Sequence, residues 1–223
     1  MRAPFVSFRY GARLLALKAL TTILLVSVAH AQPVVVAALG DSLTAGYGLP
    51  QDEGFVPVLE SWLEERGAEV DLRNAGVSGD TTAGGLSRVD WTLTDDVDAL
   101  IVELGGNDML RGVDPGTSRG NLDGILAAAE SKGLPVLLVG LTASGNFGPD
   151  YKAAFDAMYP KLAEQYGAQL YPDFFAALTA LEDQAAARRE HMQGDGIHPS
   201  ASGVRLIVED IGPHVLELVE RAE

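Results

Sequence analysis

Five short apolar runs punctuate the chain: Val34 to Leu39, Val70 to Leu72, Ala99 to Leu104, Pro135 to Leu141 and Gln169 to Tyr171. Several are apolar at consecutive positions, not at every second one, so a strand built from them needs cover on both faces. That is the situation of a parallel strand buried between helices. The intervals supply the cover, with helical patterns at Phe55 to Arg66, Thr82 to Leu93, Ser118 to Lys132 and Tyr151 to Tyr166, and a closing one at Ala201 to Arg221. Strand and helix alternate, which predicts an α/β domain around a mostly parallel five-stranded sheet.

The chain opens differently. Arg2, Arg9, Arg13 and Lys18 precede the predominantly apolar Ala19 to Val28 and then Ala29, His30, Ala31, which is the grammar of an export signal cleaved after Ala31. The apolar run is about half of the ~20 residues that span a bilayer, so no stable membrane anchor is expected after cleavage. Residues 32–223 then form one domain, expected as a periplasmic or secreted monomer. The first 31 residues hold four of the 16 basic residues and none of the 31 acidic ones, leaving 12 basic against 31 acidic, a net charge of −19. Such a surface argues against nucleic acid as a partner and against anionic lipid. With no cysteine, the chain has no disulfide, thiolate metal site or cysteine nucleophile.

In an open parallel sheet, sites form in the loops beyond the carboxyl ends of the strands. Here those loops carry Gly40, Asp41, Ser42 after the first run, Asn74 to Thr81 after the second, Gly105 to Asp108 after the third and Thr142 to Gly148 after the fourth. A serine nucleophile needs a base within hydrogen-bond reach and a third group to orient that base. Of four histidines, His30 lies in the expected signal, His191 has no carboxylate three residues before it, and His214 follows Pro213 in a helical pattern. His198 remains, three residues after Asp195, a spacing that lets one tight loop present base and orienter together. An acyl transfer at Ser42 also requires donors about 3 Å from the developing oxyanion. The backbone N–H of Gly79, the side-chain amide of Asn107 and the backbone N–H of Ser42 are the candidates. Each residue also has an ordinary reading: Asp41 and Ser42 as a helix cap, Asn107 as a turn residue, His198 as a loop histidine satisfied by backbone.

The extended blocks carry a resemblance. Gly40 to Gly48, Asn74 to Thr81, Glu103 to Asp108 and Asp195 to Pro199 are similar to the sequence blocks of the GDSL-type, or SGNH, hydrolases. Within that superfamily the chain resembles the bacterial thioesterase I, lysophospholipase and arylesterase family. The resemblance implies a flavodoxin-like three-layer α/β/α fold and a cofactor-free and metal-free serine esterase. Ser42, Asp195 and His198 would be catalytic, with Ser42, Gly79 and Asn107 as the oxyanion hole. It implies small acyl ester or thioester substrates (aryl esters, short to medium acyl thioesters, lysophospholipids), with Leu110, Leu141 and Phe147 as acyl contacts or as ordinary loop packing. The loop from Leu141 to Gly148 departs from the family's pattern, having no proline before Asn146, Phe147, Gly148. Two alternatives stand beside this reading: a carbohydrate acetylesterase of the same superfamily, and a non-catalytic acyl- or glycan-binding module.

Overall fold

The computed structural model describes Met1 and residues 32–222; the expected export signal falls outside the described residues. Five strands, β1 (Val34–Gly40), β2 (Val70–Gly76), β3 (Ala99–Glu103), β4 (Val136–Val139) and β5 (Gln169–Tyr171), form one sheet in the order β2-β1-β3-β4-β5. Every pairing is parallel. Residues of β1, β3 and β4 are almost all buried, as their unbroken apolar sequences require.

Among the described residues ten α-helices connect and flank the strands: α1 (Ser42–Ala45), α2 (Phe55–Glu64), α3 (Thr82–Thr92), α4 (Gly106–Arg111), α5 (Pro115–Ser131), α6 (Pro149–Asp156), α7 (Met158–Tyr166), α8 (Ala176–Thr179), α9 (Gln184–His191) and α10 (Ala201–Ala222). Helix α10 packs on α2, α8 and α9, and α5 packs on α3, α6 and α7, giving the expected three layers. The sheet grows from β1 in both directions, so the chain reverses its winding between β1 and β3. The crevice outside their carboxyl ends is the place where such folds bind ligands.

Two differences from the sequence reading have simple causes. The single helix expected over residues 151–166 breaks at Ala157 into α6 and α7. Pro160 cannot donate to the carbonyl four residues earlier and its ring crowds it, so Pro160 sits in the first turn of a new helix. The segment around Asn107, read as loop, is the short helix α4. Its Asp108 is buried and accepts from the Thr82 backbone N–H (2.8 Å), the Thr82 hydroxyl (2.5 Å) and the Ser118 hydroxyl (2.8 Å). Tertiary bonding overrides the weak helix propensity of Gly-Gly-Asn.

Candidate active site

Ser42 is the first residue of α1, separated from the end of β1 by Asp41 alone. Asp41 caps that helix, its carboxylate accepting from the Leu43 N–H at 3.0 Å. The ordinary capping role and the expected placement of Ser42 therefore coexist. The turn is tight: a side chain at Gly40 would collide with Thr44 and approach the Glu103 carbonyl, and one at Gly76 would collide with the Ala45 backbone. Glycine at these two positions lets the turn that carries Ser42 nest against β2 and β3.

His198 approaches from the loop before α10. Its Nε2 lies 2.9 Å from Ser42 Oγ and its Nδ1 2.6 Å from Asp195 Oδ2. The other carboxylate oxygen of Asp195 accepts from the Ile197 and His198 backbone N–H groups at 2.9 and 3.0 Å. The hydrogen bond from His198, aided by those two amides, holds the Asp195 carboxyl down at about 2. Asp195 is thus an anion across the neutral range, which places a proton on Nδ1 and leaves Nε2 free to accept from Ser42. Two further contacts fix the histidine loop. The Tyr47 ring lies against His198 with centroids 4.6 Å apart, and the Gln193 side chain donates to the Tyr47 and Pro199 carbonyls at 2.8 and 3.0 Å.

Asn107 stands on α4 after Gly105, whose φ of 125° and lack of side-chain space against Tyr159 admit only glycine. Its amide donates to Asp41 Oδ2 at 3.0 Å, leaving the second N–H of the same nitrogen for the crevice. Gly79, at φ 85°, presents its backbone to the same crevice, and its carbonyl accepts from Arg111 at 2.8 Å. Beneath the turn lie two buried carboxyls. Glu103 accepts from the Thr44 hydroxyl at 2.9 Å through Oε2, while Oε1 has no partner. Burial pushes the Glu103 carboxyl well above the usual range, helped by the neighbouring Asp41. Burial also raises Asp41, against the pull of the Leu43 N–H and the Asn107 amide.

Ser42, Gly79, Asn107 and His198 all line one cavity of about 630 Å³. The volume suits a small organic ligand. Leu110 and Leu141 line it as expected; Phe147 does not. Phe147 is half-exposed and packs against Gly112 and the Tyr151 ring, outside the lining, so the structure does not bring it to the site. Further apolar lining comes from Phe175, Leu178, Ala187 and Met192, on and around α8 and α9. Sequence reading missed this lining. Short helices give little periodicity, and in this stretch the alanine run Ala185 to Ala187 is the one helix-favouring signal. Among the described residues no group of three or more His, Asp or Glu side chains is placed to hold a metal.

Comparison with known proteins points the same way. The chain is 36% identical to the esterase TesA of Pseudomonas aeruginosa over 90% of its own length and 96% of that protein. It is 33% identical to the arylesterase of Vibrio mimicus, over 80% and 86% respectively. Among solved structures it is similar to AlinE4, an SGNH-hydrolase family esterase, at 42% identity and TM-score 0.68, covering 84% of this chain and 97% of that one. Residues 38–206 match the GDSL-like Lipase/Acylhydrolase family, and with these relatives spanning nearly the whole domain, the chain belongs to that family.

Proposed function

We propose that the protein is a serine esterase that cleaves carboxylic ester or thioester bonds of small acyl substrates through an acyl-serine intermediate. The observation that carries this reading is the continuous relay Asp195–His198–Ser42, at 2.6 and 2.9 Å, opening into a mostly apolar cavity. His198 takes the Ser42 proton as Oγ attacks the acyl carbon. It then protonates the leaving alcohol or thiol, and afterwards activates water for deacylation. Asp195 holds the imidazole in the required tautomer and stabilises its cation. The N–H groups of Gly79 and Ser42 and the free amide N–H of Asn107 receive the oxyanion.

Leu110, Leu141, Phe175, Leu178, Ala187 and Met192 offer an acyl chain a long apolar wall, which favours acyl groups beyond acetyl. Residues 1–31 read as a cleaved export signal, and residues 32–223 as a periplasmic, monomeric catalytic domain. The named relatives, an esterase and an arylesterase, support the same substrate class.

The test is hydrolysis of p-nitrophenyl esters from acetyl to lauroyl by the full chain, beside Ser42→Ala and His198→Ala. Turnover by the parent alone, rising beyond acetyl, is the expected result. Equal turnover by folded Ser42→Ala sinks the mechanism, and acetyl-only turnover favours the carbohydrate acetylesterase.

A further inference from the structure

Arg88 lies on α3, away from the reacting atoms, yet its guanidinium binds three elements of the site at once. Nε donates to Asp80 Oδ2 at 2.8 Å, Nη1 to the Ala75 carbonyl at 2.7 Å and Nη2 to the Gly40 carbonyl at 2.9 Å. Gly40 closes β1 two residues before Ser42, Ala75 lies at the end of β2, and Asp80 follows Gly79 directly. The Val77 N–H joins the same Gly40 carbonyl at 3.0 Å. Both members of the Arg88–Asp80 pair are largely shielded, with side chains 22% and 17% exposed.

The fold makes room for this arrangement. A side chain at Gly84 would overlap the Asp80 carboxylate, so glycine in the first turn of α3 lets Asp80 lie against the helix backbone where Arg88 reaches it. A guanidinium is suited to the task, since its planar fork directs several donors in fixed directions, whereas an ammonium is a compact point charge.

We infer that Arg88 is a positioning residue that sets the distance between Ser42 and the Gly79 N–H, through Gly40 on one side and Asp80 on the other. The inference rests on the serine-esterase reading and on Gly79 as an oxyanion donor. Oxyanion stabilisation acts mainly in the transition state, and displacements near 1 Å can cost ~10²-fold. Loss of Arg88 therefore lowers kcat and leaves KM nearly unchanged.

The experiment measures kcat and KM on p-nitrophenyl butyrate for the full-length parent, Arg88→Ala and Arg88→Lys. Rates are normalised to the serine titrated to its endpoint with a fluorophosphonate. The expected result is a fall of ~10²-fold in kcat per reactive serine for Arg88→Ala with KM within about threefold. Millimolar guanidinium should restore part of it, and sodium chloride at equal ionic strength should not. A merely structural arginine would lower the fraction of titratable serine and leave kcat per serine intact, and that result overturns the inference. Where Arg88→Ala does not fold, Arg88→Lys carries the test: the three acceptors are met by three separate guanidinium nitrogens, and a lysine has a single nitrogen that cannot stand in all three places, so kcat per serine equal to the parent overturns it too. Ser42→Ala, run alongside, separates the two levels. If it retains ester turnover the serine reading fails and takes this inference with it; if it is inactive, the Arg88 results stand on their own.

Discussion

Asn107→Ala separates two jobs that the proposed mechanism gives to one amide. One N–H is committed to Asp41 Oδ2 at 3.0 Å, and the other is free for the oxyanion. Removing the free N–H deletes a donor of a kind worth about 2.7 to 4 kcal/mol in the transition state, so kcat should fall by ~10² to 10³-fold. KM should stay near the parent value, because the ground-state carbonyl gains little from that donor. Removing the other N–H leaves the Asp41 carboxyl, 2% exposed, with only the Leu43 N–H. Leaving a buried acceptor short of a partner costs about 1 to 3 kcal/mol. For a domain of this size each kcal/mol lowers Tm by ~2 to 4 °C, so a drop of roughly 2 to 12 °C should accompany the kinetic loss. Steady-state kinetics on p-nitrophenyl butyrate and thermal unfolding followed by circular dichroism measure the two separately. The reasoning is refuted by a folded variant, with Ser42 still titratable, whose kcat lies within threefold of the parent.

Two further outcomes follow from the same geometry. The Glu103 carboxyl titrates well above its ordinary value because it is buried. The folded state therefore keeps a proton that the unfolded chain loses above pH ~4.3, and stability falls as pH rises from there toward the folded pKa. Glu103→Gln has no such proton, so urea unfolding between pH 4 and 8 should show the variant gaining on the parent as pH rises; a constant difference contradicts a neutral Glu103. Ala187 is buried on the wall formed by α8 and α9. Ala187→Leu places extra methyl groups where an acyl chain would lie, at ~0.8 kcal/mol for each displaced methylene. It should lower kcat/KM on decanoyl esters by ~10-fold or more while sparing acetyl esters. Equal effects on both chain lengths would remove α9 from the acyl site.

The elements legible in the sequence were those that carry their own periodicity. The strands and long helices fell near their expected places because burial on both faces, or on one stripe, writes itself into consecutive residues. The pairing of Asp195 with His198 was legible because it is local. The missed features depend on partners far along the chain. Helix α4 forms around an Asp108 whose partners are Thr82 and Ser118, and the reach of Arg88 to Gly40 spans 48 residues. The resemblance left Phe147 as an acyl contact or as ordinary loop packing. An exposed aromatic beside Gly112 is free to lie outward, and only the fold shows that it does.

Ser42, Gly79 and Asn107 sit on three separate segments, helix α1, the loop after β2 and helix α4, so their mutual geometry cannot come from any one of them. It comes from ties between segments: Asn107 to Asp41, Thr44 to Glu103, Thr82 to Asp108, Arg111 to Gly79, and Arg88 to Gly40, Ala75 and Asp80. Several of these ties bury carboxyls, and Glu103 keeps one oxygen without any partner. An apolar pair would fill the same volume at less desolvation cost. A nucleophile turn held only by apolar contacts, however, would lack directional restraint where a displacement near 1 Å matters. The polar cluster under Ser42 is therefore better understood as trading stability for position. That trade makes the two measurable: Glu103→Gln should gain stability relative to the parent as pH rises, and substitutions that cut a tie should lower kcat first.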